Sequence, residues 1–319
     1  MQELNEILKK YDLKPRNYKK HNTNLEIQTK DKIYHIKEKP KNKKIIYDYL
    51  KTRNFNYMPK IINNKDDDYE ITEHIESYDI PNEQKMIDMI NLVSLLHNKT
   101  THYEETIEDD YKEIYEDIKN NIDYLYSYYN DNINIIDTKI YMSPSEYLLA
   151  RNISKIFNAL NYTNKEIDEW YKIVKNKTKK RLVVLHNNLS LDHFIENEKP
   201  YLISWNKSKI GIPIFDLYKL YIKEGSNYEF SETLKQYEKN YPLYEEERKL
   251  LFILMALPPQ INSKQTEYEK TKEIRRIINI IEKTERIISP YYSNKRPKDN
   301  THEQKNKKNI EPSKNEKSE

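Results

Sequence analysis

The sequence predicts an α+β protein of two lobes: a small N-terminal lobe built on an antiparallel sheet, then a large, mainly helical C-terminal lobe. Three observations predict it. Short strand-like runs bounded by polar turns gather in the first 76 residues. From Pro81 onward, apolar residues recur at the three- and four-residue spacing of helices with one buried face. That helical pattern is interrupted at Leu182–Trp205, where two short apolar runs flank a polar loop. The 319 residues suffice for two packed lobes with a sizeable core.

In the small lobe, residues 1–76, Leu25–Thr29 and Lys32–Lys37 flank Lys30-Asp31 and predict a hairpin. Asn42–Arg53 reads as a helix with Ile46, Tyr49 and Leu50 on one side. Pro59–Ile62 and Tyr69–Thr72 read as further strands across the polar turn Asn63–Asp68. The large lobe, residues 77–292, opens at Pro81 with Met86, Met89, Ile90, Val93 and Leu96 at helical spacing. A second stripe runs from Tyr111 through Ile118, Ile122 and Leu125 to Tyr129. Ser143-Pro144-Ser145-Glu146 is a capping box with proline at the first helical position, which predicts a helix start there. Thr163-Asn164-Lys165-Glu166 repeats the box and predicts another start before Ile167, Trp170, Tyr171 and Val174. Later helices are predicted at Ser231–Tyr241, Glu245–Leu257 and Thr266–Ile288, stopped by Pro258-Pro259 and Pro290. Residues 293–319 form an almost purely polar tail, which predicts disorder, because it has too little apolar surface to offset the entropy of ordering.

Composition excludes several functions. A net charge of +3 gives no strong one-sign field that would point to nucleic acid or a membrane. The absence of cysteine rules out disulfides, thiolate metal sites and a thiol nucleophile. There is no apolar signal core at the N-terminus and no run near the roughly 18 residues of a membrane span, so a soluble cytoplasmic protein is expected. The 29 tyrosines suit half-buried positions, where the ring is covered and the hydroxyl stays wet. The two glycines, Gly211 and Gly225, come too late to form a phosphate-cradling loop of Rossmann, Walker or kinase type.

The informative stretch is Leu185-His186-Asn187-Asn188-Leu189-Ser190-Leu191-Asp192-His193-Phe194, followed by Tyr201-Leu202-Ile203-Ser204-Trp205. It resembles the aminoglycoside phosphotransferase and choline-kinase-like branch of the protein-kinase-like fold, whose pattern reads His-Gly-Asp-Leu-His-x-x-Asn and then Ile-Asp-Trp. The resemblance spans about Leu4 to Ile288 and implies a bilobal protein-kinase-like fold. It implies that Asn188 stands at the catalytic Asp position, His193 at the metal-binding Asn and Ser204 at the metal-binding Asp. It further implies that Lys37, in Tyr34-His35-Ile36-Lys37, is the lysine that holds nucleotide phosphates. Glu73, His74 and Ile75 would form the nucleotide-binding hinge, and Met89–His97 the first large-lobe helix. His186 would be structural, bonded to a buried Asp216. More narrowly, Leu8–Pro15 and the tyrosine-rich Tyr111–Tyr129 resemble spore-coat kinase-like proteins. That likeness implies a bacterial source, a role in coat assembly and spore-coat components as protein partners.

The departures from the pattern bear on chemistry. An amide at Asn188 cannot accept a proton, and losing a general base costs about 10²–10⁴ in rate. Magnesium prefers charged oxygen ligands, so the Ser204 hydroxyl is a weak substitute; the nitrogen of His193 suits zinc better. Asp192 is either a displaced metal ligand or a loop-surface carboxylate. A zinc cluster of His186, Asp192 and His193 has no His-Glu-x-x-His motif beside it. Lys37 reads as a phosphate ligand or as a strand-edge lysine. His35 shares its face, where an imidazole would crowd an adenine, and the nearby helix offers only Asp48 as an acidic partner. His97 and His102 flank a helix end and read as surface or capping residues. These observations predict a catalytically inactive kinase-like protein with a binding or structural role and no cofactor. The alternative is a divergent small-molecule phosphotransferase using ATP and magnesium through Lys37 and Asp192.

Overall fold

The computed structural model describes residues 6, 8–21, 24–38, 43–63, 69–262 and 264–293. The polar segment 294–319 and most of the turn 63–68 lie outside them. Strands β1 (Asn17–His21), β2 (Asn24–Gln28), β3 (Ile33–Glu38) and β4 (Tyr69–Glu73) form an antiparallel sheet in that order. The predicted hairpin is β2–β3, with Ile27 opposite Tyr34 and Leu25 opposite Ile36. Helix α1 (Lys43–Thr52) joins β3 to β4.

The large lobe follows as α2 (Asn82–Thr100), β5 (His102–Glu105), α3 (Glu108–Asp137), α4 (Pro144–Val174) and β6 (Lys179–Leu185). The short strands β7 (Phe194–Ile195), β8 (Tyr201–Leu202) and β9 (Lys209–Gly211) come next. Helices α5 (Ile214–Glu224), α6 (Phe230–Asn240), α7 (Glu245–Ala256) and α8 (Glu267–Ser293) complete it. β6 is held between β5 and β9, and its apolar run is fully buried. The predicted apolar stripes are covered as their spacing requires: Met86, Met89, Ile90, Val93 and Leu96 on α2, and Ile118, Ile122, Leu125 and Tyr129 on α3 are buried.

Several expectations are corrected. Pro59–Ile62 is not a strand; only Ile61 bridges to Thr72. Pro59 lacks a ladder N–H. The side chain of Asn63 replaces the missing ladder, accepting from Ile71 N at 2.9 Å and donating to Tyr69 O at 2.6 Å. Thr163–Glu166 does not start a helix, because α4 runs through it. The Thr163 hydroxyl turns back to Leu160 O at 2.8 Å, and buried Glu166 accepts from Lys249 and from the Tyr292 hydroxyl. Its role is tertiary. α8 also continues past Ile288 with Pro290 inside it. Packing offsets the lost backbone bond there: Ile287 and Ile288 are buried, and the Tyr291 ring lies edge-on to Phe252 at 5.0 Å. The Ser143–Glu146 box does cap α4, with Ser143 N donating to Glu146 Oε2 at 2.9 Å.

The apolar contacts divide unevenly. Ile46, Tyr47 and Leu50 of α1 and Phe55 belong to the core of the large lobe. The sheet keeps a small cluster of its own, Ile27, Ile36 and Ile71. No helix among the described residues is long and apolar enough to cross a membrane.

One buried ion pair braces β6 against α7. Arg181 grips Glu247 through two nitrogens, with both side chains under a tenth exposed, and its guanidinium lies 3.9 Å from the Tyr244 ring centroid. Arg181→Ala strands a carboxylate in the core and is expected to destabilise the fold by about 3–5 kcal/mol in urea titrations. The double change Arg181→Met with Glu247→Leu removes both charges and should recover most of that loss. A double variant as unstable as the single one would count against this account.

Candidate functional site

The loop after β6 is anchored from behind by Asp216, in the first turn of α5. Asp216 is fully buried. Its Oδ2 accepts from His186 N at 2.8 Å and from His97 Nε2 at 3.2 Å; its Oδ1 accepts from Asn187 N at 2.6 Å. These charge-assisted bonds satisfy a carboxylate that could not otherwise leave water. His97 is fully buried and not a surface residue as expected. Its Nδ1 lies 2.6 Å from the Tyr237 hydroxyl. Burial pushes the Tyr237 pKa well up, so the phenol keeps its proton and donates it to Nδ1 while Nε2–H donates to Asp216. A signal for His97 was present in the sequence, four residues after Val93 on the buried face of α2.

The imidazole of His186 does not bond Asp216, contrary to what the resemblance implied; only its backbone N–H does. The ring is fully buried, stands edge-on to Trp205 at 4.7 Å and donates from Nε2 to Ile203 O at 2.8 Å. Nδ1 has no hydrogen-bond partner among the described residues. Protonating the ring would therefore place a second N–H in a site without an acceptor. Burial is the main cause that lowers the His186 pKa to about 4, against a smaller upward pull from Asp216. The ring acts as a neutral strut that ties the loop to the segment before Ser204.

Two backbone positions in the site are left-handed. Asn187 has φ 60° and Ser204 has φ 64°. Asn187 stands where the family pattern has glycine, and asparagine tolerates this region better than most residues. Its side chain donates to Lys207 O at 2.7 Å.

A cavity of about 230 Å³ lies between the lobes. Lys37, Glu73, His74, Ile75 and Ser204 line it, as does His35. These sequence-derived positions are thus brought together. The β3–β4 register sets Lys37 opposite Glu70, so Glu70 on the neighbouring strand lies on the same face as Lys37. His35 bridges β2 and the residue after β4: its Nδ1 accepts from Asn24 Nδ2 at 3.3 Å, which leaves Nε2–H to donate to His74 Nδ1 at 2.9 Å. Lys32 pairs with Glu73.

Asn188 and His193 do not line this cavity; Asn188 is tied to it through Nδ2, which donates to Ser204 O at 3.4 Å. Its Oδ1 accepts from Lys223 Nζ at 3.4 Å. Sequence reasoning missed Lys223, because α5 itself was not anticipated. His193 Nδ1 donates to Asn188 O at 2.6 Å; burial lowers the His193 pKa, the Asn188 carbonyl raises it and Lys223 lowers it further. Asp192 is exposed and does not line the cavity. Among the described residues there is no group of three or more His, Asp or Glu placed to hold a metal ion. An amide, an imidazole already hydrogen-bonded, a hydroxyl and a facing ammonium do not fit magnesium, which wants charged oxygen ligands. The sequence before Gly211 also lacks the glycines of a usual triphosphate cradle.

The low His186 pKa has a consequence for stability. A group near 6.5 when unfolded and about 4 when folded adds stability above pH 6.5 and loses it as pH falls toward 4. The fold loses up to roughly 3 kcal/mol across that fall, because the buried ring resists the proton that the unfolded chain accepts. His186→Gln is expected to flatten the urea-unfolding profile between pH 6.5 and 4. A profile as steep as that of the parent would contradict the assignment.

The chain matches no protein-family model, and no curated protein matches it. Solved structures do resemble it. The aminoglycoside phosphotransferase from Alicyclobacillus acidocaldarius subsp. acidocaldarius DSM 446 aligns at TM-score 0.69 and 10% identity, over 90% of this chain and 94% of that one. Spectinomycin phosphotransferase APH(9)-Ia, solved as an AMP-bound complex, aligns at TM-score 0.56 and 13% identity, over 89% and 97%. The same enzyme with ADP and spectinomycin gives TM-score 0.52 and 14% identity, over 89% and 98%. At such identities the likeness speaks for architecture, and the chain has the bilobal, kinase-like fold of the aminoglycoside phosphotransferases.

Proposed function

We propose that the chain is a catalytically inactive kinase-like protein that acts by binding other proteins and uses neither ATP nor magnesium as a cofactor. The observation that carries this reading is the setting of Asn188. An amide occupies the position of the catalytic base, and it faces an ammonium, Lys223, instead of a metal. Base, metal ligands and phosphate cradle lower a phosphoryl-transfer barrier by separate means, so their joint absence is hard to compensate. A binding role is supported by the turn between α3 and α4. There Ile140 and Tyr141 are 90% and 88% exposed and are followed by Met142 and Tyr147, also exposed, an apolar projection of the kind that marks interaction sites. Spore-coat assembly as the setting rests on the resemblance of Leu8–Pro15 and Tyr111–Tyr129 to spore-coat kinase-like proteins. Recovery of the chain from purified coats would support that setting, and its absence from them would remove it.

The direct test is a thermal-shift titration with ATP and magnesium, paired with a turnover assay. A ligand at 100 times its dissociation constant adds about 2.7 kcal/mol of stability. The expected result is no shift at millimolar nucleotide and no hydrolysis. Magnesium-dependent turnover that disappears in Asp192→Ala would establish the divergent phosphotransferase instead.

A further inference from the structure

Four ammonium groups surround the loop after β6. Lys219 and Lys223 lie one turn apart on α5 and so share a side of that helix. Lys223 reaches Asn188 Oδ1 at 3.4 Å. Lys207 is drawn in by its carbonyl, which accepts from Asn187 Nδ2 at 2.7 Å. β9 sets Lys209 opposite Leu185, the residue before the loop. The carboxylates nearby do not balance this charge. Asp216 is engaged by His97 and two backbone N–H groups, and Lys223 feels only a minor pull from Glu224 and Asp192. Burial and the charges of Lys209, Lys207 and Lys223 hold Lys219 below the usual lysine range, against a pull from Asp216. Burial and Lys207 do the same to Lys223.

We propose that this cluster is a binding site for a phosphate-class oxyanion, gripped by Lys219 and Lys223 beside Asn188 without any divalent cation. The proposal rests on the reading of the cleft as inactive. Lysine is a point-charge phosphate ligand, and an anion here would relieve the repulsion among the four ammonium groups. The neutral amide at position 188 is what keeps the site open. A carboxylate there would sit against Lys223 and cancel it. A polycationic ligand would meet like charge on arrival.

The test uses the full chain with sodium pyrophosphate as probe, in EDTA at constant ionic strength, followed by calorimetric titration. Saturable binding is expected. Lys223→Gln should weaken it about tenfold, and adding Lys219→Gln should weaken it further. Asn188→Asp, which leaves every lysine in place, should weaken it at least as much as Lys223→Gln. Lys165→Gln, on the exposed side of α4, should leave it unchanged. The proposal is overturned by no saturable binding, by equal affinity in the parent and the double variant, or by equal binding of malonate. Binding that requires magnesium would overturn both this proposal and the inactive reading. Magnesium-free binding with the expected variant losses, alongside ATP turnover in the separate assay, would uphold the anion site and overturn only the inactive reading.

Discussion

Asp216 is the interaction on which the rest of the site depends. One buried carboxylate gathers a helix end, a loop and a remote helix by accepting from His97, His186 N and Asn187 N. A charge held out of water demands full pairing, so each of these donors is placed by necessity. The left-handed turn at Asn187 is what aims two successive N–H groups at the same carboxylate. Tyr237 then orients His97, and α6 joins the arrangement.

This anchor lies behind the loop, whereas Ser204 lines the cavity, Asn188 bonds its carbonyl and His193 bonds Asn188. The two sets have different jobs. The anchor preserves shape, and it would do so whatever stood at the front. At the front, an amide, an imidazole and a hydroxyl stand where the family pattern has acidic or amide metal-site groups, and lysines supply the charge. On the proposed reading, a kinase-like frame is kept while the charge at its front is altered.

Much of this was legible in the sequence. Helical spacing located α2, α3, α6, α7 and α8, the capping box located the start of α4, and the family pattern located the loop. What escaped notice did so for physical reasons. Asn17–His21 is polar and lysine-rich, and β9 is only Lys209–Gly211, so neither has the apolar alternation that marks a strand. Thr163–Glu166 has the composition of a cap, but tertiary partners claim its side chains. Pro290 ought to end a helix, and packing around Tyr291 carries it on. His97 could have been placed from its spacing to Val93. Lys223 could not, since a lysine on a helix usually points to solvent and nothing local marks one that turns toward an asparagine.

The allotment of α1 to the large core has a mechanical outcome. With Ile46, Tyr47 and Leu50 rooted there, the helix packs as part of the C-terminal body, and the four strands keep a separate apolar cluster. A seam runs between them, crossed by the Tyr47 hydroxyl as it donates to Glu70 Oε1 at 3.2 Å. Trimming Ile46 or Leu50 would therefore weaken the large core, whereas trimming Ile27, Ile36 or Ile71 would loosen only the cluster that the strands keep to themselves.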